Sequence, residues 1–215
     1  MSQRERRIVS IVLVVGIMAI CIAVIFSIKQ SPEILDITPT PDTPQLLRSY
    51  SPILGAANAR VTVVEFLDPG NVGDQAAFTA IKQVLQEFDG QVNLVVRYFP
   101  KYINSLLAIK AAEAAREQDK YWEMQELLFD TQEDWGHNQT LQIEKFQSYA
   151  SEIGLDLNQF ITSFEGAEHS YKIEQDRKDG LALGVTETPA FFINGQRLEN
   201  LTLGGIRQLV QEELR

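Results

Sequence analysis

Hydrophobic residues recur along this chain with two different periods, and the period sorts the chain into elements. Residues 61–67, V-T-V-V-E-F-L, are a β-branched run of strand length with Glu65 inside it, broken at Pro69-Gly70. From 74 to 88 the apolar residues fall at 77, 78, 81, 84, 85 and 88, one face of a helix closed by Asp89-Gly90. Residues 92–99, V-N-L-V-V-R-Y-F, form a second strand ended by Pro100. Strand, helix and strand of these lengths predict a βαβ unit with a parallel pair. A helical stretch follows at 106–118, 121–129, 141–153, 157–164 and 168–183, with a break at Gly154-Leu155-Asp156. Trp122 and Trp135 read as core residues. His137 and His169 have no partner pattern and read as surface histidines. The chain then returns to β: 190–193, an Asn194-Gly195 turn that signals a hairpin, and 196–198. An amphipathic helix at 203–214 closes it. The order is βαβ, a helical insertion, then ββα.

The N-terminal segment follows another rule. Residues 8–28 are 21 positions without a charge, roughly 32 Å as a helix and enough to cross a bilayer. Arg4, Arg6 and Arg7 flank one side and only Lys29 the other. This asymmetry predicts a cytoplasmic N-terminus and an ectodomain outside, periplasmic or extracellular, on a single pass through the plasma (inner) membrane. A cleaved signal peptide would end a shorter apolar region in an A-x-A-like site, which is absent here. The reading is an uncleaved signal anchor. Three prolines between Pro39 and Pro44 favour an extended spacer. The expected organisation is a cytoplasmic tail at 1–7, a transmembrane anchor at 8–28, a Pro-rich tether at 29–52 and an ectodomain at 53–215. Leu46, Leu47 and Ile53 are candidates to pack back onto that domain.

Composition adds two exclusions. Apolar content of 45% and charged content of 22% are those of a folded chain. The net charge is −10, but the first 28 residues carry +2 (three Arg, one Glu), and the remaining 16 basic and 28 acidic residues carry −12. Such an acidic ectodomain argues against nucleic acid or anionic lipid as a partner. The sole cysteine, Cys21, lies in the apolar N-terminal run. One thiol builds no intramolecular disulfide, cysteine metal site or dithiol couple. No metal site and no cofactor are expected.

Four stretches together resemble the DsbA-like thiol–disulfide oxidoreductases, a thioredoxin-fold family. They are V-T-V-V-E-F-L-D (61–68); F-P-K (99–101) with A-A-E-A-A (111–115) and K-Y-W-E-M-Q-E-L-L-F (120–129); Y-A-S-E-I-G-L-D (149–156); and G-V-T-E-T-P-A-F-F-I-N-G (184–195). The likeness spans about 53–214. It implies an α/β thioredoxin-like fold in which Pro189 occupies the family's cis-proline position, Glu65 its buried acid, and Asn71-Val72-Gly73-Asp74 its C-x-x-C. Both cysteines are therefore missing, with Asn71 and Asp74 in their places. Exchange needs a thiolate nucleophile and a resolving thiol, and neither Asn nor Asp supplies one. By the resemblance, Thr188, Pro189, Val72 and Gly73 form the peptide-binding surface.

On the residues alone, Glu65 is expected to be a hydrogen-bonded core carboxylate, Asp74 a helix N-cap and Asp68 a turn residue. The expected function is a redox-inactive, membrane-anchored protein-binding module, either chaperone-like or an accessory subunit of a membrane complex. Its partners would be membrane or envelope proteins. Two enzymatic alternatives stand beside it: a thiol–disulfide oxidoreductase-related enzyme of the cell envelope, and a non-redox enzyme using Glu65, Asp68 and Asp74.

Overall fold

Two central strands with side chains buried on both faces set the frame. A computed structural model describes residues 45–199 and 201–215. The expected membrane segment, Cys21 and the tether up to residue 44 lie outside the described residues. Among the described residues no helix is long and apolar enough to cross a membrane. Strand β2, Val61–Leu67, pairs in parallel with β3, Val92–Tyr98, in the register Val61↔Val92 to Leu67↔Tyr98. Helix α1, Val72–Glu87, makes the crossover between them. Covered on both sides, the two strands read as continuous hydrophobic runs.

Among the described residues the sheet has five strands, in the order β1-β3-β2-β4-β5. Strand β4, Ala190–Ile193, lies antiparallel to β2, and β5, Gln196–Arg197, follows it through the hairpin. Asn194 and Gly195 both adopt positive φ, 46° and 86°, the conformation expected of a tight Asn-Gly turn. Asn194 also accepts a hydrogen bond from the Thr62 N–H at 2.9 Å. Strand β1, Ile53–Gly55, is antiparallel to β3. Three residues are too few to carry a period, so the sequence pattern does not reveal it.

The insertion consists of α2 (Ile103–Arg116), α3 (Tyr121–Asp130), α4 (Gln132–Trp135), α5 (Ile143–Glu152), α6 (Leu157–Glu165) and α7 (Glu168–Ala182). Helix α8, Leu203–Glu213, ends the chain. The single turn α4 is the insertion element that the sequence pattern did not separate. Trp135 is fully buried and donates from Nε1 to the Leu128 carbonyl at 3.1 Å. Trp122 packs partly buried against the main core. His137 is exposed, as expected. His169 is not a surface residue: it is 1% exposed, because α6 and α2 cover it.

Alternation along the strands divides the interior in two. Val61, Val63 and Leu67 join Val92, Leu94, Val96, Phe191 and Ile193 in the main core beneath α1 and the insertion. Val64, Phe66, Val95, Phe99, Ala190 and Phe192 form a smaller core on the other face. Each face carries one charged residue at its centre, Glu65 on the first and Arg97 on the second, and both are fully buried. Helix α7 reaches the smaller face at Gly180, where an added Cβ would meet Phe99 at 2.9 Å and Phe66 at 3.1 Å. That close approach brings Asp176 and Asp179 to Arg97, with oxygens 2.8 and 2.6 Å from its Nη2.

The Arg97 guanidinium does more than pair. Its Nη1 donates to the carbonyls of Gln45 and Leu46, both at 2.6 Å. Arg48 adds a two-pronged contact to Asp179 at 2.8 and 2.7 Å, and the Tyr50 hydroxyl donates to Asp176 at 2.7 Å. Residues 45–52, assigned from composition to the tether, are thus fastened to the domain. Leu46 packs on the smaller core, whereas Leu47 and Ile53 stay about half exposed, at 51% and 46%. Two arginines against two aspartates make the cluster neutral, which is the condition for keeping four charges out of water.

Arg97→Met removes the ion-pair partner of buried Asp176, leaves Asp179 paired only with Arg48, and frees two carbonyls. It should cost about 3–5 kcal/mol in urea denaturation at pH 7 and speed amide exchange at Ser51. A loss below about 1 kcal/mol, within the range of an exposed pair, would contradict the clasp.

Candidate functional site

Strand β2 delivers Leu67 and Asp68 to one end of the sheet, where Pro69-Gly70 turns the chain into α1. Asn71 has extended backbone, φ −94° and ψ 124°, and its side-chain oxygen accepts the Gly73 N–H at 2.8 Å. Asn71, not Asp74, is therefore the N-cap. Asp74 lies within the first turn and points inward, fully buried. Its Oδ1 accepts the Asp68 N–H at 3.2 Å, while Oδ2 has no hydrogen-bond partner among the described residues. Burial pushes its pKa from 3.8 up to about 8. Near neutral pH it is largely a neutral acid.

Asp68 does hold the turn. Its Oδ1 accepts from the Gly70 N–H at 2.9 Å and its Oδ2 from the Lys101 N–H at 2.8 Å, and burial raises its pKa. Glu65 departs from expectation. It is buried, but neither carboxyl oxygen finds a hydrogen-bond partner among the described residues. Burial first, and nearby Asp74 second, push its pKa well above the carboxylate range. The physical reason is its position on β2, where it is fully buried with another acid, Asp74, close by. The three acids are fully buried, and no group of His, Cys, Asp or Glu among the described residues is arranged to hold a metal ion. Acid–base work on a substrate requires a group that the substrate can reach, so this geometry gives the carboxylate-enzyme alternative no support.

The second half of the site arrives from the segment before β4. The Thr188–Pro189 peptide is cis. Asn71 spans the gap to it, donating from Nδ2 to the Thr188 carbonyl at 2.8 Å and to the Thr188 hydroxyl at 3.2 Å. The same side chain therefore caps α1 with its oxygen and holds the proline segment with its nitrogen. Gly73 faces the ring, and a Cβ there would stand 3.3 Å from Pro189 Cδ. Val72 projects outward, 57% exposed. Asn71, Val72, Gly73, Thr188 and Pro189 thus form one contiguous surface, with Glu65 and Asp74 in the interior beneath it.

Beside this surface runs an open apolar groove of about 410 Å³ between α1 and the start of α8. Ala76, Ala77 and Ala80 form one wall, Pro189 and Phe191 the floor, and Leu203 and Ile206 the other wall. The sequence pattern did not single out Gln132. It is 3% exposed on α4 and donates to the carbonyls of Pro69 at 2.6 Å and Asn71 at 3.0 Å, bracing the loop from the insertion. A glutamine in a one-turn helix carries no periodic signal that would have marked it.

The family model described as Thioredoxin matches residues 48–212. The Na(+)/H(+) antiporter NhaA of Herminiimonas arsenicoxydans is 30% identical over 146 residues, which cover 68% of this chain and 22% of that protein. The chain thus spans about a quarter or less of such curated relatives, 26% for the NhaA 1 antiporter of Mycolicibacterium vanbaalenii. Among solved structures, a thioredoxin-like oxidoreductase from Silicibacter pomeroyi DSS-3 is 28% identical with a TM-score of 0.65, over 79% of this chain and 92% of that one. The thiol-disulfide exchange protein alpha-DsbA2 from Wolbachia pipientis is 26% identical with a TM-score of 0.65, over 75% of this chain and 86% of that one.

The raised acids make a pH prediction. Asp74 binds its proton more tightly folded than unfolded, so its stabilising contribution is full below about pH 4 and is lost as pH rises through about 8. Asp74→Asn should therefore flatten the fall in unfolding free energy between pH 5 and 8 by about one proton, roughly 1.4 kcal/mol per pH unit. Urea denaturation across that range measures it; an unchanged slope would mean that Asp74 is ionised in the fold.

Proposed function

The chain belongs to the thioredoxin family, as a DsbA-like member, and on that premise we propose that it is a redox-inactive domain that binds protein at a membrane. The observation that carries this reading is the Asn71 side chain. It sits at the first cysteine position of the resemblance and is committed to Gly73 and Thr188. Asn71 offers no thiolate, Asp74 no resolving thiol, and the lone Cys21 is more than forty residues away in the apolar N-terminal run. An oxidoreductase of the usual kind lacks its nucleophile.

Binding needs only a surface. The exposed Val72 and the groove along Ala76, Ala80 and Phe191 suit an extended, apolar polypeptide segment. Two sequence features support a membrane setting. The uncharged run 8–28 is long enough to span a bilayer. A stretch of the same ancestry also makes up 22% of a longer protein named as an antiporter. We therefore place the domain outside the plasma membrane on a single-pass anchor, as an accessory or chaperone-like subunit of a membrane protein complex. An anchor confines it near such partners and raises its effective concentration.

Purification of the full chain in mild detergent, after crosslinking in cells, tests this directly. A membrane protein should be recovered with the wild type and reduced at least fivefold with Ala76→Trp, which fills the groove from an exposed helix position. Recovery of the chain alone, as a monomer that binds no unfolded polypeptide, would end this reading.

A further inference from the structure

Far from the β2–α1 loop, the helical insertion lines up a serine, a histidine and a glutamate. Ser163 lies near the end of α6, His169 in the first turn of α7 and Glu113 on α2. Ser163 Oγ is 2.8 Å from His169 Nε2. On the other side of the ring, His169 Nδ1 faces Glu113 Oε2 at 3.8 Å and has no hydrogen-bond partner among the described residues. Glu113 is held in place by the Tyr98 hydroxyl and by Arg116, each at 2.7 Å. The order is therefore a buried carboxylate, a buried imidazole and a partly exposed hydroxyl. That is the order a serine nucleophile needs: a base within hydrogen-bond reach, itself oriented by a third group. Contacts of this kind are commonly long without substrate and tighten when it binds.

Ser163 and His169 both line a surface cavity of about 490 Å³, with Thr162, Glu117, Ala167 and Glu168 around them. Helix α7 starts at this cavity with no side-chain cap on its first turn. Its N-cap, Ala167, and first residue, Glu168, line the same cavity as Ser163, and a helix N-terminus favours a developing oxyanion. The groups facing the ring are Glu113, Glu117 at 3.5 Å from Nε2, and Lys172, which is 3.6 Å from Glu113 and 3.1 Å from Glu168. Burial lowers the His169 pKa and keeps the ring neutral, the form in which Nε2 can take a proton.

We propose that Ser163, His169 and Glu113 form a second site that hydrolyses a small carboxylic ester, independent of the protein-binding surface. Ser163 Oγ bonds to the ester carbonyl carbon as His169 Nε2 takes the hydroxyl proton. The carbonyl carbon–alkoxy oxygen bond then breaks, and the alcohol leaves with that proton. Water attacks the acyl-serine, its proton returns through His169 to Ser163 Oγ, and the carboxylic acid departs. Glu113 orients the ring and balances its transient charge. With Glu117 and Glu168 at the mouth, the site favours neutral or cationic esters over anionic ones.

The full chain in detergent is treated with a fluorophosphonate probe and, separately, with p-nitrophenyl acetate. The expected result is one adduct, mapped by peptide mass spectrometry to Ser163 and absent in Ser163→Ala. His169→Gln, which keeps a polar partner for Ser163, should slow labelling and ester hydrolysis at least about 100-fold. Glu113→Gln should slow them by a smaller factor and leave the adduct on Ser163. No adduct, an adduct on another residue, or an equal labelling rate in a folded His169→Gln variant would overturn the proposal and leave Ser163–His169 as a hydrogen bond joining two helices.

Discussion

The parallel pair β2–β3 is buried on both faces, and each face admits one acidic or basic side chain; the rest of the molecule is arranged around how those two are accommodated. Arg97 is neutralised. Gly180 lets α7 come close enough to present Asp176 and Asp179, and Arg48 arrives from residues 45–52 to complete a neutral cluster. Spare guanidinium donors then fasten the backbone of Gln45 and Leu46. Burying a charge is tolerable only with partners of this quality. The smaller core and the chain entering the domain thereby become one unit. Among the described residues, Glu65 on the opposite face receives no cation and no hydrogen bond. It is kept by losing its charge, with Asp74 beside it in the same condition.

This contrast explains the loop above Glu65. A pair of neutral acids beneath a helix start imposes no strong field on the surface, and the helix N-terminus is satisfied locally by the Asn71 side chain. Asn71 also takes up the carbonyl of Thr188. Two segments far apart in sequence are closed onto each other by one amide, where a thiol-bearing relative would need a free nucleophile. Asn71, Val72, Gly73, Thr188 and Pro189 are all uncharged, and an apolar groove flanks them.

Much of the fold was legible because its signals are periodic. The runs at 61–67 and 92–99, the helical faces and the Asn194-Gly195 turn each depend on local spacing, and the elements are present with ends shifted by up to three residues, as at Ile103–Arg116 for the expected 106–118. Elements of three or four residues, β1 and α4, left no period to read. The site was legible by position but not by role. Asn71 hydrogen-bonds to Thr188, and Gly73 lies against Pro189. The capping duty, however, fell to Asn71 instead of Asp74, because only the fold decides which side chain points back to a free N–H. His169 was misplaced for a related reason. A histidine among charged neighbours on a polar helix looks solvated, and nothing local shows that α2 and α6 cover it. The fastening of residues 45–52 was likewise invisible, since it depends on partners as far apart in sequence as Arg48 and Asp179.

The central claim is that the β2–α1 loop recognises polypeptide without exchanging disulfides. The most direct measurement is insulin reduction by dithiothreitol in the presence of the full chain. A rate equal to the uncatalysed background, at protein concentrations where polypeptide binding is detected, is the predicted result. Turnover above that background would contradict the account.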